Sequence, residues 1–178
     1  MKFFETTHLF NSNWESTTLA SWRKYPNDKA PHVKHVEIIS REVDPISGKL
    51  KTERLILVEQ KVPRLIKKIL GATGESLCLE YSEVDPVTKE MSMTSINLTL
   101  SNLLSVTERI VYKPNEQDPT KTSFYQSANV SANGLISKFG SIVEDYSLRV
   151  FKDNALVGRM GFEQVLNIIL QEQKSLAH

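Results

Sequence analysis

Lys24, Tyr25, His32, Arg54 and Asn154 are polar residues whose positions call for partners; an anionic ligand is one candidate for Arg54, while Lys24 also fits a cation at a helix end favoured by the macrodipole. In Arg23-Lys24-Tyr25-Pro26-Asn27, Pro26 biases Tyr25 away from helical φ/ψ, and Pro31 of Pro31-His32-Val33 fixes a second bend. The pair predicts a rigid corner at the end of a first helix, presenting Lys24, Tyr25 and His32. Arg54 alternates in phase with Leu50, Thr52, Ile56 and Val58, which turns it to the inner face of a strand. An inward guanidinium needs a counter-charge, either a buried carboxylate such as Glu80 or Glu108 or the head group of an anionic ligand. Asn154 lies four residues after Val150 and three before Val157 on a long helical stripe, so it is a satisfied core amide, a surface residue on a rotated helix, or a ligand contact.

Other chemistries find little support. G-x-S-x-G, C-x-x-C and H-E-x-x-H are absent, and no Walker-type lysine follows Gly71-Ala72-Thr73-Gly74. No Ser or Cys stands in a recognisable activating arrangement, so an enzyme, and a lipid hydrolase in particular, is not expected. Cys78 is the sole cysteine, which rules out an intramolecular disulfide and a Cys-based zinc site. His32 and His35 point to opposite faces of a regular strand and cannot share an ion. No metal and no cofactor is expected. Two sequons, at Asn97 and Asn129, fall in strand patterns and are read as chance matches.

These residues need elements to hold them. Twenty-two Lys and Arg against twenty-one Asp and Glu give a net charge of +1, which argues against a nucleic-acid partner. Apolar runs such as Leu55-Ile56-Leu57-Val58 are far shorter than the ~20 residues of a membrane span, so a soluble chain is expected, and Glu5 interrupts any signal-peptide core. Thr6 to Phe10 extends an initial strand. Ser12 and Glu15 read as a capping box for a helix bearing Trp14, Thr18 and Trp22 on one face. From Val33 to about Lys113 strands alternate with turns at Asp44–Lys49 and Asp85–Lys89, with a longer turn at 115–120; connections this short predict an antiparallel meander. Val62 to Gly71 interrupts it as a short amphipathic helix, with Leu65, Ile66, Ile69 and Leu70 apolar and Lys67 and Lys68 opposite. A long helix from about Leu135 to Gln173 carries Phe139, Ile142, Val143, Tyr146, Val150, Val157 and Gly161 as its stripe. The expectation is an α+β single domain spanning 1–178, with a curved antiparallel sheet of about seven strands wrapped over the C-terminal helix. Such a half-barrel can hold an apolar ligand between its layers.

The chain resembles the PRELI/MSF1 (Ups/slowmo) family of mitochondrial intermembrane-space phospholipid carriers. The likeness rests on Trp14, Lys24-Tyr25-Pro26-Asn27, His32-Val33, Arg41-Glu42-Val43-Asp44, Thr52-Glu53-Arg54-Leu55, Val62-Pro63, Val84-Asp85-Pro86, Asn97-Leu98-Thr99, Glu108-Arg109, Val143-Glu144-Asp145-Tyr146-Ser147 and Arg159-Met160-Gly161. The resemblance implies a START-like fold that moves one phospholipid between the outer and inner mitochondrial membranes without chemistry. It implies a heterodimer with a small twin-Cys helical-hairpin chaperone and transient contact with anionic membranes. It transfers head-group contact to Lys24, Tyr25 and Asn154, with His32 and Arg54 at matching positions. The helix from Val62 and Pro63 through Leu65, Ile66, Lys67, Lys68, Ile69 and Leu70 matches the family's lid. Phosphatidate-carrying members tend to have pocket lysines where this chain has Val58 and Val150, and the run Ser95 to Arg109 is most like the slowmo-type branch. Both favour phosphatidylserine over the alternative, phosphatidate. A reading of a different class, a protein-interaction module that transfers nothing, stays open.

Overall fold

The computed structural model describes residues 1–59 and 61–176. Among them, β1 (Lys2–Phe10), β2 (Val33–Val43), β3 (Leu50–Glu59), β4 (Glu75–Asp85), β5 (Glu90–Asn97), β6 (Leu104–Pro114) and β7 (Thr122–Ala132) form one antiparallel sheet in the order β1-β7-β6-β5-β4-β3-β2. β2 to β7 is the expected meander. β1 joins it from the other end of the chain, with Lys2 opposite Val130 and Phe10 opposite Thr122. The hairpin turns follow from their acidic and amide residues: the Asp44 carboxylate accepts from the backbone of Ile46 and Ser47, and Asp85 does the same for Val87 and Thr88.

Helix α1 (Trp14–Trp22) begins one residue away from the capping-box expectation. Asn13 is the cap and its side chain accepts from the Ser16 amide at 2.8 Å. A short amide oxygen serves that role as well as a hydroxyl. Glu15 instead meets Lys89 at 2.6 Å, while the Ser12 carbonyl accepts from the Thr122 hydroxyl. The helix also ends earlier than expected: its cap is Arg23, so Lys24 and Tyr25 lie beyond it. The following Tyr25–Pro26 peptide is cis.

Helix α2 (Arg64–Leu70) has Pro63 as its N-cap and Gly71 as its C-cap at φ 67°, a left-handed conformation that glycine adopts without a Cβ penalty. The C-terminal helix is in two parts, a 3-10 segment (Gly134–Phe139) and then α3 (Gly140–Leu176). The stripe on α3 is displaced from the expected one. Phe139 and Ile142 are exposed and Val157 only half-buried, while Val143, Gly158, Gly161, Phe162, Leu166 and Ile169 are buried. Over 37 residues the 3.6-residue period drifts off a stripe that is anchored by a few residues at one end.

The core is divided. Phe10, Trp14, Ala20, Met91, Met93, Tyr112, Phe124, Phe162, Leu166 and Ile169 form one apolar cluster; Ile66, Leu70, Ile136 and Val143 form a second, with Val62, Leu100, Leu104 and Tyr146 against it. α3 contributes to both.

Candidate functional site

Between the two clusters lies a cavity of about 370 Å³, lined by Phe10, Tyr112 and Phe162 from the first and by Ile66, Leu70 and Leu104 from the second. Inward residues of β3 to β7 make one wall and α3 the other. All five polar residues singled out in the sequence, Lys24, Tyr25, His32, Arg54 and Asn154, line it.

The segment after α1 is seated by two glycines on α3. Asn27 donates from Nδ2 to the Gly161 carbonyl at 3.0 Å, and its Oδ1 accepts from the Lys29 amide at 2.8 Å. A Cβ on Gly161 would stand 3.0 Å from the Asn27 amide group, and one on Gly158 would stand 3.1 Å from the Lys24 ammonium. Bare helix backbone is therefore what admits Lys24 and Asn27 so close to α3. Lys24 Nζ also lies 5.1 Å from the Tyr25 ring centroid, a cation–π distance.

Arg54 is 5% exposed and meets Glu80 twice, from Nε at 2.8 Å and from Nη2 at 2.6 Å to the same oxygen. Of the alternatives left open by the sequence, the carboxylate partner is thus Glu80, and the pair as a whole faces the cavity. The Arg54 and Arg41 guanidinium carbons lie 5.1 Å and 4.6 Å from the Trp22 ring. His32 is pushed below the ordinary imidazole value by burial and then by the charges of Lys24 and Lys34. His35 is exposed and meets Glu37 at 3.1 Å, so the two histidines serve separate environments. Asn154 faces the cavity, and among the described residues neither its amide nor the Lys24 ammonium has a hydrogen-bond or salt-bridge partner.

Sequence reasoning treated Glu108 only as a possible partner of Arg54. In the structure it lines the cavity and accepts from Gln126 Nε2 at 2.5 Å, while Arg54 is committed elsewhere. Burial pushes its carboxyl above the ordinary range, and the neighbouring Glu80 adds to the rise; Gln126 and Lys24 oppose it. The available signal was strand phase: Glu108 alternates with Leu104, Val106, Ile110 and Tyr112, all of which line the cavity. Gln126 and Arg159, which also line it, were missed as well.

The other side of the cavity is apolar and covered by α2. Val62, Ile66 and Leu70 line it, Ile69 is half-buried, and Lys67 and Lys68 face outward. Leu65 departs from the expected apolar face: it is 57% exposed, beside exposed Arg64 and Lys68. The Tyr146 hydroxyl donates to the Lys61 carbonyl at 3.2 Å, tying the start of this segment to α3. Opposite α2, the β5–β6 loop is held by Asn97, which donates to the carbonyls of Thr99 and Leu104 and accepts from Val106. That sequon straddles the end of β5 and the loop instead of lying within a strand, and its amide is internally satisfied. Val58 and Val150 line the cavity and add no charge to it. Cys78 does too, with its thiol pushed up by burial.

Comparison with known proteins agrees with this arrangement. A START superfamily protein from Mycobacterium smegmatis superposes with a TM-score of 0.53 at 17% identity, covering 92% of this chain and 98% of that one, which shows a START-like fold. Protein UPS2, mitochondrial, of Saccharomyces cerevisiae is 43% identical over 169 residues, 94% of this chain and 74% of the relative. A slowmo homolog of Dictyostelium discoideum is 34% identical over 181 residues, 99% of this chain and 77% of the relative. The PRELI-like family matches residues 15–173, nearly the whole span that builds the cavity, and the chain belongs to that family.

Proposed function

We propose that the chain acts as a single-domain phospholipid carrier that encloses one lipid and carries it between the outer and inner mitochondrial membranes through the intermembrane space. The observation that carries this reading is the two-sided cavity, with Lys24, Tyr25, His32, Arg54 and Asn154 on its polar side and the short helix α2 over its apolar side. Its volume of about 370 Å³ lies at the lower end for ligand pockets. With α2 in place it suits a head group and the first part of the chains; acyl chains in full need α2 displaced. Enclosure has a physical purpose, because each methylene moved out of water is worth about 0.8 kcal/mol.

In this reading the phosphate meets Lys24, Tyr25 and Asn154, with His32 and the Arg54–Glu80 pair beside them. No bond is broken, and the carrier is not an enzyme. The preferred cargo is phosphatidylserine, supported by the absence of cations at Val58 and Val150; phosphatidate is the alternative. The outer surface of α2, with Arg64, Lys67, Lys68 and exposed Leu65, suits transient contact with anionic membranes. A small twin-Cys helical-hairpin chaperone pairs with the carrier between membranes.

The test is transfer of labelled phosphatidylserine and phosphatidate between liposomes, with wild type and Lys24→Glu side by side. Faster phosphatidylserine transfer, lost in a folded Lys24→Glu protein, is the expected result. Faster phosphatidate transfer overturns the cargo assignment, and movement of neither lipid favours the interaction module.

A further inference from the structure

Among the described residues, one cavity carboxylate has no cation bound directly to it. Glu80 is taken by Arg54, whereas the partner found for Glu108 is the neutral Gln126 amide. The register places them in one cross-strand row: Arg54 pairs with Glu80, Glu80 with Ser95, and Ser95 with Glu108. An acidic group is thereby fixed two strands beyond Glu80, across Ser95, within electrostatic reach of Lys24. A single carboxylate without a cation is costly to keep in such surroundings, and leucine or glutamine would be cheaper if the pocket only had to hold phosphate.

We propose that Glu108, oriented by Gln126, is the acceptor for the primary ammonium of an aminophospholipid head group and sets the carrier's preference for that class over phosphatidate. The inference rests on the carrier reading above and adds to it the group that reads the amine. Lys24 and Glu108 then form a dipole matched to a phosphate-plus-ammonium head group. The lining cations Lys24, Arg54 and Arg159 are matched in number by the carboxylates Glu75, Glu80 and Glu108, with His32 held towards its neutral form. A head group that brings its own ammonium adds less net negative charge to this lining than a phosphomonoester does. The phosphomonoester would also bring negative charge against Glu108. Burial disfavours the charged form of the Glu108 carboxyl in the empty cavity, and an arriving ammonium would supply the counter-charge that favours it.

The experiment offers the purified protein mixed vesicles with equal phosphatidylserine, phosphatidylethanolamine, phosphatidate and N-acetyl-phosphatidylserine, and reads the retained lipid by native mass spectrometry. The N-acetyl lipid keeps phosphate and carboxylate but has no ammonium. Wild type should retain phosphatidylserine over its N-acetyl form by about tenfold or more, as expected for loss of a charge-assisted hydrogen bond. Phosphatidylethanolamine should share the advantage over phosphatidate. Glu108→Gln, which keeps the side-chain shape, should collapse both ratios to near one while lipid is still carried. If wild type carries lipid and does not discriminate against the N-acetyl form, Glu108 does not read the amine, whatever the variant does. If the ratios survive in Glu108→Gln, the amine is read elsewhere. Retention of no lipid by wild type overturns the carrier reading itself, and this inference with it.

Discussion

Arg54 and Glu80 show what a buried charge requires. Removing one partner strands the other, at a cost of about 3–5 kcal/mol, whereas replacing both with apolar residues of similar volume is often close to neutral. Glu80→Ala should therefore lower the urea midpoint sharply and Arg54→Met with Glu80→Leu should restore most of it; a Glu80→Ala protein as stable as wild type would contradict the pairing. His32 carries a pH signature. Its folded-state pKa lies below the ordinary 6.5, so between those two values the unfolded chain binds more protons and stability falls as pH is lowered. His8, also lowered by burial and by Arg159, adds the same sign. Glu108 has the opposite one, because its raised pKa withholds stability near neutrality and returns it as pH falls towards 4.5. Denaturation midpoints of wild type and His32→Gln should diverge progressively below about pH 6.5, and a constant offset would remove His32 from the acid response. Strand phase made Arg54 legible in the sequence. It applied equally to Glu108, but carboxylates near an inward arginine look like its partners, and only register shows which of two is taken.

Elements decide how those residues meet. The strands and the short helix were legible because period-two alternation, Asx turns and the Pro63 and Gly71 boundaries are local signals. The seating of Lys24 and Asn27 was not, because it depends on Gly158 and Gly161 some 130 residues away. Gly161→Ala should gain about 1 kcal/mol in helix propensity while displacing Asn27. The expected outcome is a thermal midpoint near that of wild type with slowed lipid transfer; unchanged transfer would mean the segment tolerates the shift. The tie from Tyr146 to Lys61 is a neutral hydrogen bond near the surface, worth about 0.5–1.5 kcal/mol. Tyr146→Phe should speed opening of α2 by about two- to tenfold. Cys78, inside the cavity, reports it as faster thiol labelling in the variant, and equal rates would show that this bond does not hold the helix.

At the scale of the whole molecule the net charge of +1 hides a division of labour. Cations on α2 face outward, while the polar side of the cavity keeps its charges largely balanced. Each Lys near an anionic surface contributes about 1 kcal/mol, or about fivefold in affinity, and the effect is screened by salt. Lys67→Glu with Lys68→Glu should weaken binding to phosphatidylserine-containing vesicles by about 25-fold or more at low salt and much less at high salt. Equal vesicle binding by the variant would take α2 away from the membrane-facing side.

The pairing of β1 with β7 has a further consequence, for the order in which the molecule can be made. The first strand of the sheet waits for a partner about 120 residues later, with Phe10 opposite Thr122, and the meander between them lacks α3 until the last helix has emerged. Contacts of such sequence separation slow folding, and the apolar concave face of β3 to β6 stays uncovered in the meantime. A chain emerging from a ribosome or a translocation pore from its N-terminus is thus most exposed to aggregation just before it is complete, and a partner able to cover that face acts on folding before it acts on any lipid.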